Sequence, residues 1–283
     1  MNKNRIFIRL SCYNIDNTIS PWYIKGKNCG IGNILFQVAS GLCFGIKHNA
    51  ELYVPSLTTY FKLEDLKKEE TIFKNINTDL CDEYDESNCI EYSNNHQYIF
   101  DCKFYNNIVL VSYFENYYNF NDYRDLILDY FRPSEKEKEY IINKYPNIND
   151  ANLSSIHIRG GPDIQRIFKD TLNKHKIYYN QMIDYMIEFK GVRSFFVITN
   201  DKEFSYEILN NVKYNNIKFY YTNERDYYDI WIISLIKYNI VSFSTLAWWG
   251  SYLNEHQDKF ILSHIKIGGV INPEWSYLDC YEE

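Results

Sequence analysis

Three short clusters in the second half of the chain hold side chains suited to gripping a nucleoside diphosphate. In His157-Ile158-Arg159-Gly160-Gly161 a guanidinium stands beside two glycines. Arginine meets a phosphate with a rigid fork of donors, and glycine lets a ligand approach the backbone closely. The same residues also fit a surface ion pair followed by a simple turn. Ser244-Thr245 is a hydroxyl pair just ahead of an apolar segment of helical period. The amino end of a helix, with unpaired N–H groups and a positive dipole end, attracts anions, although an ordinary helix cap has the same composition. Thr199-Asn200-Asp201 offers a carboxylate to a ribose or a base edge, or else closes an Asx turn.

A parallel sheet would bring these clusters together. Apolar runs at 154–159, 195–199, 217–221, 240–243 and 260–263 predict strands, and helical periods at 177–189, 203–210, 227–237 and 246–253 alternate with them. In the 177–189 segment the stripe is Tyr178, Met182, Tyr185 and Met186. Strands alternating with helices build a doubly wound α/β domain, whose ligands bind outside the carboxyl ends of its strands. Each cluster follows a predicted strand, so all three are expected in one crevice.

The first half is less regular. A strand is expected near 22–25, then a turn at Cys29-Gly30-Ile31-Gly32-Asn33 with Asn33 as N-cap. A helix striped by Leu35, Val38, Ala39, Leu42 and Ile46 follows, with a strand at 51–54. Residues 62–97 are polar and weakly patterned, which predicts loops and short helices. Tyr113, Phe114, Tyr117 and Tyr118 are spaced as the buried stripe of a helix, with a carbohydrate-stacking surface as the other reading. Segment 132–152, with Pro133, Pro146 and a Glu-Lys-Glu-Lys-Glu run, predicts a helix between loops and the boundary of two domains, 1–150 and 151–283.

Composition narrows the function. The 283 residues, 46% of them hydrophobic, leave room for two domains of roughly 100–200 residues each. Thirty Lys and Arg against 37 Asp and Glu give a net charge of −7, which repels a polyanion and excludes a nucleic acid polymer as partner. The longest apolar stretch, 230–249, is interrupted by Lys237 and Asn239, and the chain opens without the pattern of a signal peptide. The expectation is a soluble, cytoplasmic protein with no membrane anchor. Histidines at 48, 96, 157, 175, 256 and 264 show no metal-ligand spacing, and the seven cysteines form no Cys-x-x-Cys pair, so no metal is expected. Gly30-x-Gly32 meets Leu35 where a dinucleotide fingerprint needs its third glycine.

In order along the chain, these segments resemble glycosyltransferase family 11, the α-1,2-fucosyltransferases. Residues 29–42 (CGIGNILFQVASGL) look like the family's Gly-x-Gly-Asn-x-x-Phe-Gln signature, and 110–120 (LVSYFENYYNF) like the segment after the first domain's core. Residues 157–163 (HIRGGPD) are similar to His-x-Arg-Arg-Gly-Asp, and 195–201 (FFVITND) to a strand ending in Ser/Thr-Asp-Asp. Residues 244–253 (STLAWWGSYL), followed by Pro273-Glu274-Trp275, look like the Trp-Trp-Gly motif and the proline and tryptophan downstream of it.

The resemblance implies an α/β, GT-B-like architecture: two facing Rossmann-like domains with mainly parallel sheets, the first for the acceptor and the second for the nucleotide sugar. It implies inverting, metal-independent transfer of fucose from GDP-fucose to a galactoside hydroxyl, without a cofactor. Arg159 would bind the β-phosphate and steady the charge that develops as GDP leaves. Ser244 and Thr245 would hold the diphosphate and Asp201 would meet the guanine or ribose. His157, Gly32 and Asn33 would complete the donor site, and Trp248 and Trp249 would pack inward. No spacing singles out a general base. The chain departs from the motifs at Gly160, which replaces a second arginine, at Pro162, and at Phe243, Leu246 and Ala247. Two alternatives follow: the same fold with another nucleotide-activated deoxysugar, or a sugar- or nucleotide-binding module without turnover.

Overall fold

The strands expected in the second half are present within two residues of their expected places in the computed structural model. It describes residues 4–11, 30–161, 164, 172–241, 243–264 and 271–278. The chain divides into two compact units, Met1–Arg132 with Gly269–Ile271 and Pro133–Gly268 with Asn272–Glu283. The division falls at the amino end of the proline-bearing segment, so the helix Glu135–Lys144 belongs to the second unit. Its start is set by Glu137, whose carboxylate accepts the Ser134 backbone N–H at 2.6 Å.

In the first unit, β1 (Asn4–Ile8), β2 (Ala50–Tyr53), β3 (Cys89–Glu91) and β4 (Ile108–Val111) form a parallel sheet in the order β2-β1-β4-β3. The helix Ile31–Lys47 lies close on it. A Cβ at Gly41 would stand 2.6 Å from Ile8 Cγ1 and one at Gly45 2.9 Å from the Ala50 carbonyl, so two glycines one turn apart let helix and sheet approach. Three expectations need correction. The helix begins after Gly30, which has extended backbone, and Asn33 sits inside its first turn rather than at the cap. Ile46, placed in the buried stripe, is 51% exposed, because the helix has nearly reached its end there.

The Tyr113–Tyr118 segment is not an α-helix either. Phe114 has φ of 51°, a left-handed conformation rare for a bulky residue. Its carbonyl accepts the Asn116 N–H at 2.7 Å and Asn119 Nδ2 at 3.1 Å, which closes a turn where a helix was expected. Phe114 and Tyr117 are buried and Tyr118 is exposed. The strand expected near 22–25 lies outside the described residues. β1, five residues flanked by polar neighbours, was too short to show as a periodic run.

In the second unit, β5 (Leu153–Ile158), β6 (Ser194–Thr199), β7 (Lys218–Tyr221), β8 (Tyr238–Val241), β9 (Phe260–His264) and β10 (Ser276–Leu278) form a parallel sheet in the order β10-β9-β8-β5-β6-β7. Helices Leu172–Lys190, Lys202–Leu209, Asp226–Leu235 and Thr245–Tyr252 connect β5 through β9. The chain steps outward from β5 to β7, then returns to lay β8 on the other side of β5. The strand order therefore reverses between β5 and β8. Ile156, Ile158, Phe195 and Val197 bury one face against Tyr178, Met182 and Met186. Asn239 on β8 ties the two central strands together: its Nδ2 donates to Ser155 Oγ at 2.8 Å, and its Oδ1 accepts Asn254 Nδ2 at 2.9 Å. Among the described residues no helix is long and apolar enough to cross a membrane.

The helix that follows β8 is held against Asp226–Leu235 through Gly250. A Cβ there would lie 2.5 Å from Ile233 Cβ and 3.0 Å from the Ile230 carbonyl. Overpacking of this kind costs about 1–3 kcal/mol. Gly250→Ala is expected to lower the unfolding free energy by that amount in a urea titration, and unchanged stability would contradict the close approach.

Candidate active site

The carboxyl ends of three neighbouring strands carry the three clusters. β5 pairs with β8 through Ser154↔Tyr238, Ser155↔Asn239 and Ile156↔Ile240, and with β6 up to Ile158↔Thr199. Arg159 therefore leaves the sheet between the exit of β8, which leads to Ser244 and Thr245, and the exit of β6, which leads to Asn200 and Asp201. The reversal between β5 and β8 is where an open α/β sheet forms its ligand crevice.

The loop after β5 is held by side chains rather than left open. The Arg159 N–H donates to Tyr179 Oη at 3.2 Å, the Gly160 N–H to Asn200 Oδ1 at 2.9 Å, and the Gly161 N–H to Asp201 Oδ2 at 3.1 Å. Asn200 Nδ2 returns a bond to the Gly160 carbonyl at 3.0 Å. A Cβ at position 160 would stand 2.6 Å from Asp201 Cβ, and Gly161 has φ of 97°. Both glycines thus have structural reasons, close approach at one and backbone conformation at the other. They do not form a backbone cradle for a ligand, since their N–H groups are already donated. What this loop offers an anion is the half-buried Arg159 side chain.

Tyr178 and Tyr179, both fully buried, brace the reversal from one helix. Tyr178 Oη donates to the carbonyl of Val241, the last residue of β8, at 2.6 Å, while Tyr179 takes the Arg159 N–H. Sequence reasoning treated Tyr178 as core stripe and passed over Tyr179. A polar atom on each of two buried neighbours was the available signal, because a buried tyrosine hydroxyl usually has a partner.

Ser244 occupies the N-cap position of Thr245–Tyr252 with extended backbone, yet its hydroxyl makes no capping bond and the first turn holds no acid. The first helical bond runs from the Trp248 N–H to the Ser244 carbonyl at 3.0 Å. The Ser244 side chain thus gives the positive end of the helix dipole no cap of its own. Behind it, Trp248 stacks on Tyr252 with ring centroids 5.1 Å apart and packs on Trp275 at 5.4 Å. Trp248 and Trp249 are 4% and 0% exposed, so they anchor the helix as core.

Asp201 uses Oδ1 to cap Lys202–Leu209 through the Phe204 N–H at 3.0 Å and Oδ2 to hold Gly161, so both oxygens already accept a backbone bond. His157 is buried within β5, and burial, aided by the Arg159 charge, pushes its pKa down to about 3. By strand alternation it faces away from Ile156 and Ile158, beneath the strand end and uncharged at neutral pH. Gly32 is buried in the first unit's helix, and the Asn33 carbonyl there accepts Gln37 Nε2 at 3.2 Å. Pro162 and Asp163 lie outside the described residues. Among the described residues no group of three His, Cys, Asp or Glu side chains is placed to ligate a metal.

No family model matches the chain. It is 28% identical over 182 residues to the O-antigen biosynthesis glycosyltransferase WbnK of Escherichia coli, covering 59% of this chain and 58% of that one. The match thus spans less than two thirds of that relative's length. It is 24% identical over 257 residues to an alpha-1,2-colitosyltransferase of Escherichia coli, covering 80% of this chain and 86% of that one. In structure it is similar to the fucosyltransferase NodZ from Bradyrhizobium, with a TM-score of 0.50 at 11% identity over 88% and 92% of the two chains. POFUT1 in complex with GDP gives 0.52 at 12% identity over 93% and 99%. The fold is one shared with GT-B fucosyltransferases. Its α/β class with parallel sheets is the class read from the sequence.

A half-buried aspartate and a buried histidine in the second unit tie stability to pH in opposite senses. The Asp229 carboxyl accepts the Thr222 hydroxyl at 2.8 Å, and burial raises its pKa from 3.8 to about 8. Its unfolded form ionises first, so its share of stability is lost as pH rises from 3.8 to 8. His157 falls from 6.5 to about 3, so its share is complete above 6.5 and lost as pH falls towards 3. At ~1.4 kcal/mol per unit, each contributes about 2 kcal/mol between pH 5 and pH 7, with opposite sign. Asp229→Asn is expected to exceed the wild type in stability at pH 7 and to lose about 2 kcal/mol on moving to pH 5. The wild type should stay nearly level over that interval. Denaturant titrations at both pH values measure this, and parallel behaviour of the two proteins would contradict it.

Proposed function

We propose that the protein is a glycosyltransferase that moves a fucosyl or related deoxysugar unit from a nucleoside diphosphate donor to a carbohydrate hydroxyl. The observation that carries this reading is the placement of Arg159 and the uncapped amino end of Thr245–Tyr252 at the carboxyl ends of the neighbouring strands β5 and β8. Together they present a guanidinium and a helix dipole to a diphosphate. The sequence similarity to two glycosyltransferases supports the reaction class.

In detail, the acceptor oxygen attacks the anomeric carbon from the face opposite the diphosphate. The new C–O bond forms as the bond to the β-phosphate oxygen breaks, the bonding pair leaves on the diphosphate, the acceptor's hydroxyl proton passes to water, and the configuration inverts. Arg159 and the helix end meet the charge that grows on the leaving group, where other glycosyltransferases place a divalent cation. GDP-fucose is the first donor proposed and a galactoside 2-hydroxyl the acceptor group. A second reading changes the donor to another nucleotide-activated deoxysugar. It is favoured by the likeness to a colitosyltransferase over 80% of the chain and by Gly160 in place of a second arginine.

A thermal-shift series with GDP-, UDP- and dTDP-sugars separates the donors, since a ligand at 100 times its Kd adds about 2.7 kcal/mol. The GDP series is expected to stabilise the protein. Binding without transfer or donor hydrolysis would instead identify a binding module. Arg159→Ala is expected to remain folded and to lose ~10²–10³ in turnover, the usual cost of one preorganised donor to a developing anion. Unchanged turnover would remove Arg159 from this role. Treatment with EDTA is expected to leave the rate intact, and loss of rate restored by Mn²⁺ would overturn the metal-free mechanism.

A further inference from the structure

We propose that Asn200 is the positioning residue for Arg159, a role that rests on reading Arg159 as the diphosphate ligand. The β5–β6 ladder ends at Ile158↔Thr199. Beyond it the Asn200 carboxamide makes the two bonds an adjacent strand would have made. It accepts from the Gly160 N–H at 2.9 Å and donates to the Gly160 carbonyl at 3.0 Å. Gly160 directly follows Arg159, so this pair fixes the backbone on one side of the guanidinium's residue while Tyr179 Oη holds the Arg159 N–H at 3.2 Å.

The neighbouring Asp201 cannot take this place. Asp201 is an acceptor whose two oxygens serve Gly161 and the helix cap, and an aspartate at position 200 would have no proton for the Gly160 carbonyl. An ionised side chain there would also set a second carboxylate beside that of Asp201. The asparagine and the glycine stand at two positions where the chain departs from the motifs it resembles, Arg-Arg and Asp-Asp, and they bond each other. A neutral, hydrogen-bonded pair thus occupies the place of charged residues, leaving Arg159 as the arginine of this loop's motif. A long side chain on a fixed backbone gives up less freedom when it grips a phosphate.

The test uses the full chain, inorganic pyrophosphate and GDP as probes, and four variants: Asn200→Ala, Asn200→Asp, Gly160→Ala and Arg159→Ala. Amide hydrogen exchange at Gly160 and Gly161 is expected to speed up at least about tenfold in Asn200→Ala. Calorimetry should show about tenfold weaker binding of both probes, with the melting temperature close to that of the wild type. Gly160→Ala, which displaces the loop against Asp201 while leaving Asn200 in place, should weaken binding similarly and serves if the Asn200 variants fold poorly. Faster exchange with unchanged affinity would overturn the positioning role and leave the reading of Arg159 standing. Wild-type affinity in Arg159→Ala, or a wild type that binds neither probe, would overturn both.

Discussion

Three consecutive backbone N–H groups, those of Arg159, Gly160 and Gly161, are donated to side chains of neighbouring elements, and the character of the site follows from that. A backbone whose donors are spent cannot wrap an anion in the manner of a phosphate-binding loop. It can present one guanidinium from a fixed place. The opposite arrangement holds one strand away, where the helix after β8 starts without a side-chain cap and with no acid in its first turn. The carboxyl ends of β5 and β8 thereby carry an arginine side chain and a helix amino end, two sources of positive potential on neighbouring strands.

The sheet explains why the two meet. Arg159 and Ser244 are far apart in sequence, yet β5 and β8 are paired because after β7 the chain crosses back to the other side of β5. Asn239 bonds to Ser155 in the middle of the two strands, and the tyrosines of Leu172–Lys190 bond near their carboxyl ends. Buried polar groups whose partners are all supplied specify one arrangement of the elements that carry them. The aromatic packing of Trp248, Tyr252 and Trp275 does the same for the uncapped helix from behind.

Much of this was legible in the sequence because the second half obeys simple periods. Strands of four to six residues separated by striped helices fix their own places, and the positions of Arg159 and Ser244 at strand exits follow at once. What failed were features governed by single side-chain bonds. Asn33 has the composition of a cap, but Gly30 with extended backbone starts the helix. The Tyr113–Tyr118 spacing fits a helix, but the Phe114 carbonyl is claimed by Asn116 and Asn119. Gly160 and Gly161 read as room for a ligand and are in fact room for Asp201 and for a left-handed turn. The partner of a glycine lies in another segment, and no local pattern records it.

The central claim is that one diphosphate is held jointly by the Arg159 side chain and the amino end of Thr245–Tyr252. A crystal structure of the chain with GDP bound tests it most directly. The account predicts phosphate oxygens within hydrogen-bond distance of the Arg159 guanidinium and of the first-turn N–H groups of that helix, beyond the ends of β5 and β8. A diphosphate seated elsewhere, or one touching neither group, would contradict it.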